Sequence, residues 1–465
     1  MNTVKGQGPT FRLLMPLEPG APSEQPSIVA RGKRWGLVEY NALPNRTDAP
    51  DYTCISYVCG KNQIVNPFDD KTKMSDRTIS AIETILTNES PKAIWIDAFC
   101  VPSDPTLKAA CLSQLGVIYS RAEKVVVMLS QVVFSVLERI GETKTLNNEM
   151  IGTLERDDWV SRAWTYQELV NNDNIRFTAL GGSTYTKADN ILNSLTIAID
   201  KYMKERNWDS FDFYSKYPRI SRFEDVILDW KISRYLERSA YQALSSIDDR
   251  VATNAEDLSY LIGAISDNPI TTVNPPDGYS FEHLLQVCET KGDYSFIYST
   301  ARRSNKQGKR WRPANGERLR PIFATHSWGL QSGIVHRTHI TLDKMSILQL
   351  GSLNSKAKTF IQNRLYSPKE AKDRENWPTL VFSRLSLAGF SGCGDFFETE
   401  HGYFYTHLPI ENHDGMIIVI STEVQMAIGS PGLLLKKEPS EIYKWVGVGL
   451  FVGRVPKVCV SVNVG

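Results

Sequence analysis

One carboxylate stands in a short run of large, mostly neutral side chains, SRAWTYQELV, which extends from Ser161 to Val170. Helical spacing in this run places Glu168 one turn after Trp164, on the same face. An aromatic wall beside a carboxylate suits a sugar whose leaving group is a flat, cationic ring. The spacing alone favours a structural interpretation, in which Trp164 belongs to the core and Glu168 pairs with a surface arginine.

Other polar residues stand where the strands of a predicted parallel sheet end. They are Ser56, Tyr57 and Gly60 at the end of the first strand, Asp97 at the end of the second, and Ser130 at the end of the third. Doubly wound sheets bind ligands outside the carboxyl ends of their strands, where the strand order reverses. We therefore expect these side chains to face one edge of the sheet, within reach of Glu168.

The elements that position these residues alternate between strands and helices. Short runs rich in β-branched and aromatic residues predict strands, and helical spacing lies between them. The predicted strands are 52–58, 93–97, 124–130 and 175–180, and the predicted helices are 76–86, 105–120, the SRAWTYQELV segment and 187–203. Residues 138–157 are interpreted as an insertion rich in Glu, Thr and Asn. Strands separated by helices predict a doubly wound parallel α/β sheet.

The segments that flank this α/β pattern have different characters. The first 50 residues are rich in Pro and Gly and predict a lead-in of packing or linker material, with a candidate strand at 35–40. Later in the chain, helical patterns give way to short β-like runs between Gly and Pro turns. We predict four parts: a lead-in at 1–50, an α/β domain at 51–205, a helical region at 206–293, and a β-rich domain at 294–465.

The composition limits the partners and the compartment. The 53 Lys and Arg residues nearly balance the 52 Asp and Glu residues, so no global charge attracts nucleic acid or anionic lipid. We see no signal peptide and no membrane-spanning run, and we expect neither a membrane nor a nucleic acid as partner. The seven cysteines are odd in number and scattered, which favours reduced thiols and a cytoplasmic location.

Several chemistries lose their support in the sequence. All seven histidines lie at or beyond His283, so the α/β segment holds no Ser-His or Cys-His nucleophile system. Neither a Gly-x-x-x-x-Gly-Lys-Ser/Thr loop nor a Gly-x-Gly-x-x-Gly fingerprint follows a predicted strand. The spacings of Cys393, His401, His407 and His413 match no zinc pattern. We expect no metal and no bound cofactor.

Four motifs across residues 52–182 resemble the heterokaryon incompatibility (HET) domain of filamentous fungi. They are CISYVCG, WIDAFC, the segment from Gln114 to Ala122 with the VVVML run that follows, and RAWTYQEL. The segment from Asp248 to Gly263 resembles the part of the chain that often trails this domain. The chain departs from the family at Cys59, where Trp is usual, and at 101–103, where Ile-Asn-Gln is usual.

The HET domain is in turn similar to the TIR fold, some members of which cleave NAD. This resemblance implies a TIR-like doubly wound parallel sheet, followed by a helical segment and a β-rich C-terminal region. It makes Glu168 the catalytic residue and NAD the substrate. It also implies substrate contacts at the same edge: Trp164 or Tyr57 against a ring, Asp97 and Ser56 on hydroxyls, Arg162 facing phosphate, and Gly60 and Ser130 nearby.

Other functions stay open beside this one, because many TIR domains keep the fold as scaffolds without activity. The altered residues at the ligand edge favour a non-enzymatic module that self-associates or recognises an allelic protein partner through residues 205–465. Either function would serve incompatibility-type programmed cell death. A third alternative is that the fold was recruited to a small-molecule reaction in specialised metabolism.

Overall fold

The computed structural model describes most of the chain in ten continuous stretches. These are residues 10–41, 49–112, 114–162, 164–206, 281–314, 327–350, 397–408, 414–426, 429–439 and 441–465, with shorter pieces at 213, 216–220, 223–224, 227 and 238–247. The chain divides into two compact units, Met1–Tyr235 with Arg250–Tyr279 and Leu236–Asp249 with Ser280–Gly465. The segment from Asp248 to Gly263, within the predicted helical region at 206–293, lies outside the described residues.

The first unit alternates strands and helices after an N-terminal group of strands. Its strands are β1 (Thr10–Pro16), β2 (Ile28–Ala30), β3 (Lys33–Asn41), β4 (Thr53–Tyr57), β5 (Gln63–Asn66), β6 (Asp69–Ser75), β7 (Ile94–Trp95), β8 (Lys124–Leu129), β9 (Ile175–Ala179) and β10 (Thr186–Lys187). Its helices are α1 (Arg77–Asn88), α2 (Asp97–Cys100), α3 (Pro105–Leu112), α4 (Leu115–Arg121), α5 (Phe134–Thr143), α6 (Asn148–Glu155), α7 (Asp158–Ser161), α8 (Trp164–Val170) and α9 (Ala188–Arg206), with a 3₁₀ turn at Gln131–Val133.

A sheet of eight described strands, in the order β10-β9-β8-β4-β7-β1-β3-β2, forms the centre of this unit. Strands β7, β4, β8 and β9 run parallel. The first of these four in sequence, β4, lies between the second, β7, and the third, β8. The strand order therefore reverses at β4 and β8, and the crevice at their carboxyl ends is where such a sheet binds ligands.

The four strands that the sequence predicted are parallel, as expected, and antiparallel strands extend the described sheet at both ends. Strand β10 pairs antiparallel with β9, and β1 pairs antiparallel with β7 through Leu14 and Ile94. Strands β3 and β2 continue this antiparallel edge, although the first 50 residues were expected to be a lead-in with one strand. Strand β2 forms because its side chains alternate between the core and solvent: Ile28 and Ala30 are buried on either side of the exposed Val29.

Residues 138–157 were interpreted as an insertion, and the structure instead forms helices α5 and α6 over most of this range. Their apolar residues recur at helical spacing, with Leu137 and Ile140 buried on α5 and Ile151 and Leu154 buried on α6. Most of the Glu, Thr and Asn residues around them are exposed. The Asn147 side chain caps α6 by accepting from the Met150 amide at 2.9 Å.

Two hydrophobic clusters cover opposite faces of the parallel strands. Ile55 and Tyr57 belong to the cluster under α1, whereas Cys54 belongs to the cluster with Ile118 and Tyr119 of α4. Alternation along β4 therefore directs Ser56, like Cys54, away from α1. Ser56 is the last residue of that face before the strand ends.

The second unit is rich in antiparallel strands, as the sequence predicted for the C-terminal region. Its described helices are α10 (Ala240–Ile247) and α11 (Phe281–Lys291), followed by a 3₁₀ turn at Ser295–Tyr298. Its strands are β11 (Ser327–Trp328), β12 (Gly333–Val335), β13 (Ile340–Gln349), β14 (Phe397–Thr399), β15 (Gly402–Thr406), β16 (Met416–Ser421), β17 (Gln425–Met426), β18 (Ser430–Lys437), β19 (Tyr443–Gly453) and β20 (Val460–Val464).

The main sheet of this unit runs in the order β12-β13-β16-β18-β19-β15-β14. Strand β20 pairs with both β13 and β19, so the strands β13, β16, β18, β19 and β20 close on one another. Phe404, Ile418, Leu434 and Phe451 are buried in the core of this sheet. None of the described helices in either unit is both long and apolar enough to cross a membrane.

Candidate functional site

Ser56 and Glu168 meet at the carboxyl end of β4. The Ser56 hydroxyl donates a hydrogen bond to Oε2 of Glu168, which α8 carries to this point. The Trp159 indole Nε1 donates to the same Ser56 oxygen at 2.7 Å. Because Ser56 accepts from the indole, its own proton is directed at the carboxylate. Ser56 and Trp159 are buried, and Glu168 is partly exposed.

The environment of Glu168 changes its acidity. Burial raises the pKa of this carboxyl from its ordinary range to about 7, and the charge of Asp97 contributes to the rise. The hydrogen bond from Ser56, the charge of Arg162 and a hydrogen bond from Tyr119 act in the opposite direction. Glu168 therefore titrates near neutral pH, as acid and base groups of active sites commonly do.

Asp97 lies at the same edge, immediately after β7, as the first residue of α2. Its Oδ1 accepts from the Ala98 amide at 2.7 Å. Surrounding protein raises the pKa of the Asp97 carboxyl, and the Ala98 amide and the Arg162 charge oppose that rise. The residue is nevertheless exposed to solvent. Asp97 can therefore offer a carboxylate to a ligand close to Glu168.

Cys59 and Arg162 join this group. Burial and the charge of Asp97 raise the pKa of the Cys59 thiol, and the charge of Arg162 lowers it. Arg162, between α7 and α8, also acts electrostatically on Asp97 and Glu168. Cys59 is exposed, and its thiol lies close enough to Asp97 and Arg162 for their charges to change its pKa.

Tyr57 is the last residue of β4, at the edge where the sequence placed it, but its ring is mostly buried. Its side chain is only 7% exposed and packs in the cluster under α1, where its hydroxyl shares a 2.8 Å hydrogen bond with Thr78. The ring is thus largely enclosed by the core and offers little free face for stacking. The Trp164 side chain lies outside the described residues, although its backbone begins α8.

Ser130 is connected to Glu168 through a chain of hydrogen bonds. Its amide and hydroxyl donate to Oδ2 of Asp157 at 2.9 and 2.6 Å. Oδ1 of Asp157 accepts from the Trp159 amide at 2.9 Å, which caps α7. The Trp159 indole then continues the path to Ser56 and Glu168. The ends of β8 and β4 are thereby joined through one aspartate and one tryptophan.

Gly60 lies where the end of β4 approaches the start of α1. Its amide donates to Oγ of Ser75 at 2.6 Å. A Cβ atom at this position would come within 2.8 Å of Oδ1 of Asp76 and 3.1 Å of Nε of Arg77. Glycine therefore leaves the space that the Arg77 side chain uses.

Sequence reasoning missed Trp159 and Asp157, which are central to the hydrogen-bond chain. The available signal was the run Asp157-Asp158-Trp159, because an aspartate two residues before a buried aromatic residue is typical of a helix N-cap. The structure brings Ser56, Asp97, Arg162 and Glu168 together and links Ser130 to them. Among the described residues, no three His, Cys, Asp or Glu side chains gather as metal ligands.

Comparison with known proteins gives one family match. The model described as "Heterokaryon incompatibility protein (HET)" matches residues 52–144, from β4 through α5. Ser56, Gly60, Asp97 and Ser130 fall within the matched range, and Glu168 falls after it. No curated protein and no solved structure matches the chain.

Proposed function

The chain contains a heterokaryon incompatibility domain, and we propose that this domain hydrolyses the N-glycosidic bond between nicotinamide and ribose in NAD. The observation that carries the proposal is the Glu168 carboxyl, partly exposed, hydrogen-bonded by Ser56 and with a pKa of about 7. It stands at the carboxyl edge of the strand where the sheet order reverses. The strand order β7-β4-β8-β9 supports a TIR-like interpretation of the fold.

In the proposed reaction the bond between C1′ of the ribose and the nicotinamide nitrogen breaks. Nicotinamide leaves as a neutral ring with the bonding electron pair, and positive charge develops on the ribose. The ionised Glu168 carboxylate stabilises that charge electrostatically in a partly desolvated site. Water then adds to C1′ and releases one proton, which gives ADP-ribose and nicotinamide.

The neighbouring residues have defined parts in this proposal. Ser56 fixes the position of the Glu168 carboxylate, because the Trp159 indole holds its hydroxyl in one orientation. Asp97 is exposed beside Glu168 and would accept hydrogen bonds from the ribose hydroxyls. The charge of Arg162 favours the ionised form of both carboxyls and opposes the rise in their pKa values. NAD depletion of this kind would serve incompatibility-type programmed cell death.

The test is NAD turnover by the purified full-length chain at high protein concentration, with nicotinamide and ADP-ribose separated by chromatography. We expect Glu168→Gln to reduce turnover by about 10²-fold or more, because one electrostatic contact to the transition state is lost. Glu142→Gln, on the exposed side of α5, is the matched control and should keep wild-type turnover. Equal and appreciable turnover with and without Glu168 would remove this residue from the mechanism.

A second candidate function is recognition of a protein partner through the second unit. The observation that favours it is strand β12, which lies at the edge of the sheet in the part of the chain that the structure describes, with Ile334 58% and Val335 41% exposed. Exposed apolar residues on a sheet edge are a common route to strand pairing between chains. Ile334→Lys should then abolish self-association in analytical ultracentrifugation and leave NAD turnover unchanged. A monomeric wild-type chain that binds no allelic form would count against this function.

A further inference from the structure

A cavity of about 90 Å³ lies where β4 and β8 end. Its wall includes Tyr57 from β4, Ser130 from the end of β8, and Asp157 from the hydrogen-bond chain. The reversal of strand order falls between these two strands. The cavity therefore occupies the place where a doubly wound sheet receives its ligand.

Two guanidinium groups reach this cavity from separate elements. Arg77 begins α1, and Arg156 follows the last residue of α6. Both residues are exposed. Among the described residues no ion pair holds either of them, and Arg156 has only a 3.4 Å contact to Thr153. Two arginines that converge on one small cavity without a carboxylate partner favour an anionic ligand, and their planar donor sets match phosphate.

The carboxylates in the cavity wall do not cancel this preference. Asp157 is buried, and its two oxygens already accept from the Ser130 amide, the Ser130 hydroxyl and the Trp159 amide. Asp158 is exposed and is the remaining negative charge in the wall. The start of α1 adds a positive helix end, because the Asp76 side chain does not cap it. Two exposed guanidinium groups therefore stand against one exposed carboxylate in this wall.

The cavity and the carboxylate of Glu168 are within reach of one extended ligand. Ser56 stands opposite Val127 in the β4–β8 pairing, and Ser130 lies three residues further on. With about 4.8 Å between strands and about 3.3 Å per residue along a strand, the Cα atoms of Ser56 and Ser130 are about 11 Å apart. A dinucleotide joined by a diphosphate can bridge that separation.

We infer that this cavity is a phosphate subsite, in which Arg77 and Arg156 bind the diphosphate of a nucleotide whose ribose lies at Glu168. The inference rests on the proposed function for its ligand class, and it adds two binding residues that the resemblance did not suggest. The size of the cavity suits a phosphate group and leaves the base and sugars outside. Arg77 and Arg156 bind the substrate, whereas Glu168 acts on the bond that breaks.

The experiment measures binding of ADP-ribose to the full-length chain by calorimetry, so that no turnover is required. We expect Arg77→Gln and Arg156→Gln each to weaken ADP-ribose binding about tenfold or more, because a charged hydrogen bond is lost. Inorganic phosphate should compete with ADP-ribose, and adenosine should not. Asp158→Asn is the matched control, since it removes a charge from the same wall and should keep or tighten binding.

The outcomes separate the subsite from the reaction. Glu168→Gln should bind ADP-ribose with wild-type affinity and lose turnover, whereas the arginine variants should raise KM more than they lower kcat. Arginine-dependent binding without any NAD cleavage would retain the subsite and reject the proposed reaction. NAD cleavage with arginine variants that bind ADP-ribose as well as wild type would overturn the subsite alone. Absence of ADP-ribose binding by the wild-type chain would overturn it as well.

Discussion

The indole Nε1 of Trp159 donates a 2.7 Å hydrogen bond to Ser56 Oγ, and Ser56 in turn donates to Glu168. A serine hydroxyl has one proton, so the indole decides where that proton points. The tryptophan is buried between Phe177 and Phe223, whose rings meet it edge to face. Packing thus fixes the orientation of the Trp159 indole. Through two hydrogen bonds, by way of Ser56, this orientation influences the charge of the Glu168 carboxylate.

The first prediction concerns that indole. Trp159→Phe keeps the ring packing and removes the N–H donor, so the Ser56 hydroxyl becomes free to rotate away from Glu168. The pKa of Glu168 should rise further, and the acid limb of the pH profile of NAD cleavage should move to higher pH. Loss of a buried hydrogen bond should also lower the free energy of unfolding by about 1–3 kcal/mol.

Trp35→Phe is the control for this substitution. Trp35 is also buried in the first unit, and its Nε1 has no hydrogen-bond partner in the described part of the chain. Removing its N–H should leave the pH profile in place. A shift of equal size in both variants would mean that general loosening of the unit, and not the Ser56 contact, moves the profile.

The second prediction concerns pH and activity. Glu168 must be ionised to stabilise positive charge on the ribose, and its pKa is about 7. We expect kcat/KM for NAD to rise about tenfold per pH unit up to pH 7 and to level off above it. The check is kcat/KM measured from pH 5 to pH 9 at constant ionic strength. A profile that stays flat between pH 5 and pH 7 would exclude a role for ionised Glu168.

The third prediction concerns pH and stability. The pKa of Glu168 is higher in the folded chain, about 7, than the ordinary value of 4.5 expected after unfolding. The folded state therefore binds more protons between these values, and this group loses its stabilising effect as pH rises from 4.5 through about 7. Glu168→Gln removes the ionisable group. Relative to wild type, the variant should gain about 1–2 kcal/mol in the free energy of unfolding between pH 4.5 and pH 8, after discounting for partial exposure.

Urea unfolding at the two pH values measures this difference directly. Glu168→Gln also changes the hydrogen bond with Ser56. The effect of that change on the free energy of unfolding is the same at both pH values, so it cancels when the two are compared. Glu142→Gln controls for removal of one negative charge from the surface. A variant that gains no stability relative to wild type at high pH would show that burial does not oppose ionisation of Glu168.

The sequence predicted the parts of this site that depend on strand ends. Ser56, Asp97 and Ser130 lie at the carboxyl ends of parallel strands. These ends share one edge of the sheet regardless of the conformation of the loops. The choice of tryptophan did not follow from such a rule. Trp164 and Trp159 both precede Glu168 at short distances in sequence, and spacing alone does not single out Trp159 as the partner of Ser56. The position of Trp159 depends on the start of α7, where Asp157 caps the helix and also accepts from Ser130, a residue distant in sequence.

The antiparallel edge shows a second limit of sequence reasoning. The Pro and Gly content of the first 50 residues predicted turns. The strands that pair there, including β1 with β7, show an alternation of buried and exposed residues over only a few positions. Strand pairing depends on which edge is free in the folded unit, and composition does not contain that information. The helices α5 and α6 were missed for a related reason, since their Glu, Thr and Asn residues outnumber the buried positions that define their faces.

The fourth prediction tests how Gly60 positions Arg77. A Cβ atom in Gly60→Ala would meet Oδ1 of Asp76 at 2.8 Å and Nε of Arg77 at 3.1 Å. Both atoms belong to movable side chains, so we expect little loss of stability, at most about 1 kcal/mol. The displaced guanidinium should nevertheless weaken ADP-ribose binding severalfold.

Gly141→Ala on α5 is the matched control, because nothing lies within 4 Å of its Cβ position. It should stabilise the helix by up to about 1 kcal/mol and leave binding unchanged. Wild-type affinity in Gly60→Ala would mean that Arg77 does not need this space to bind phosphate.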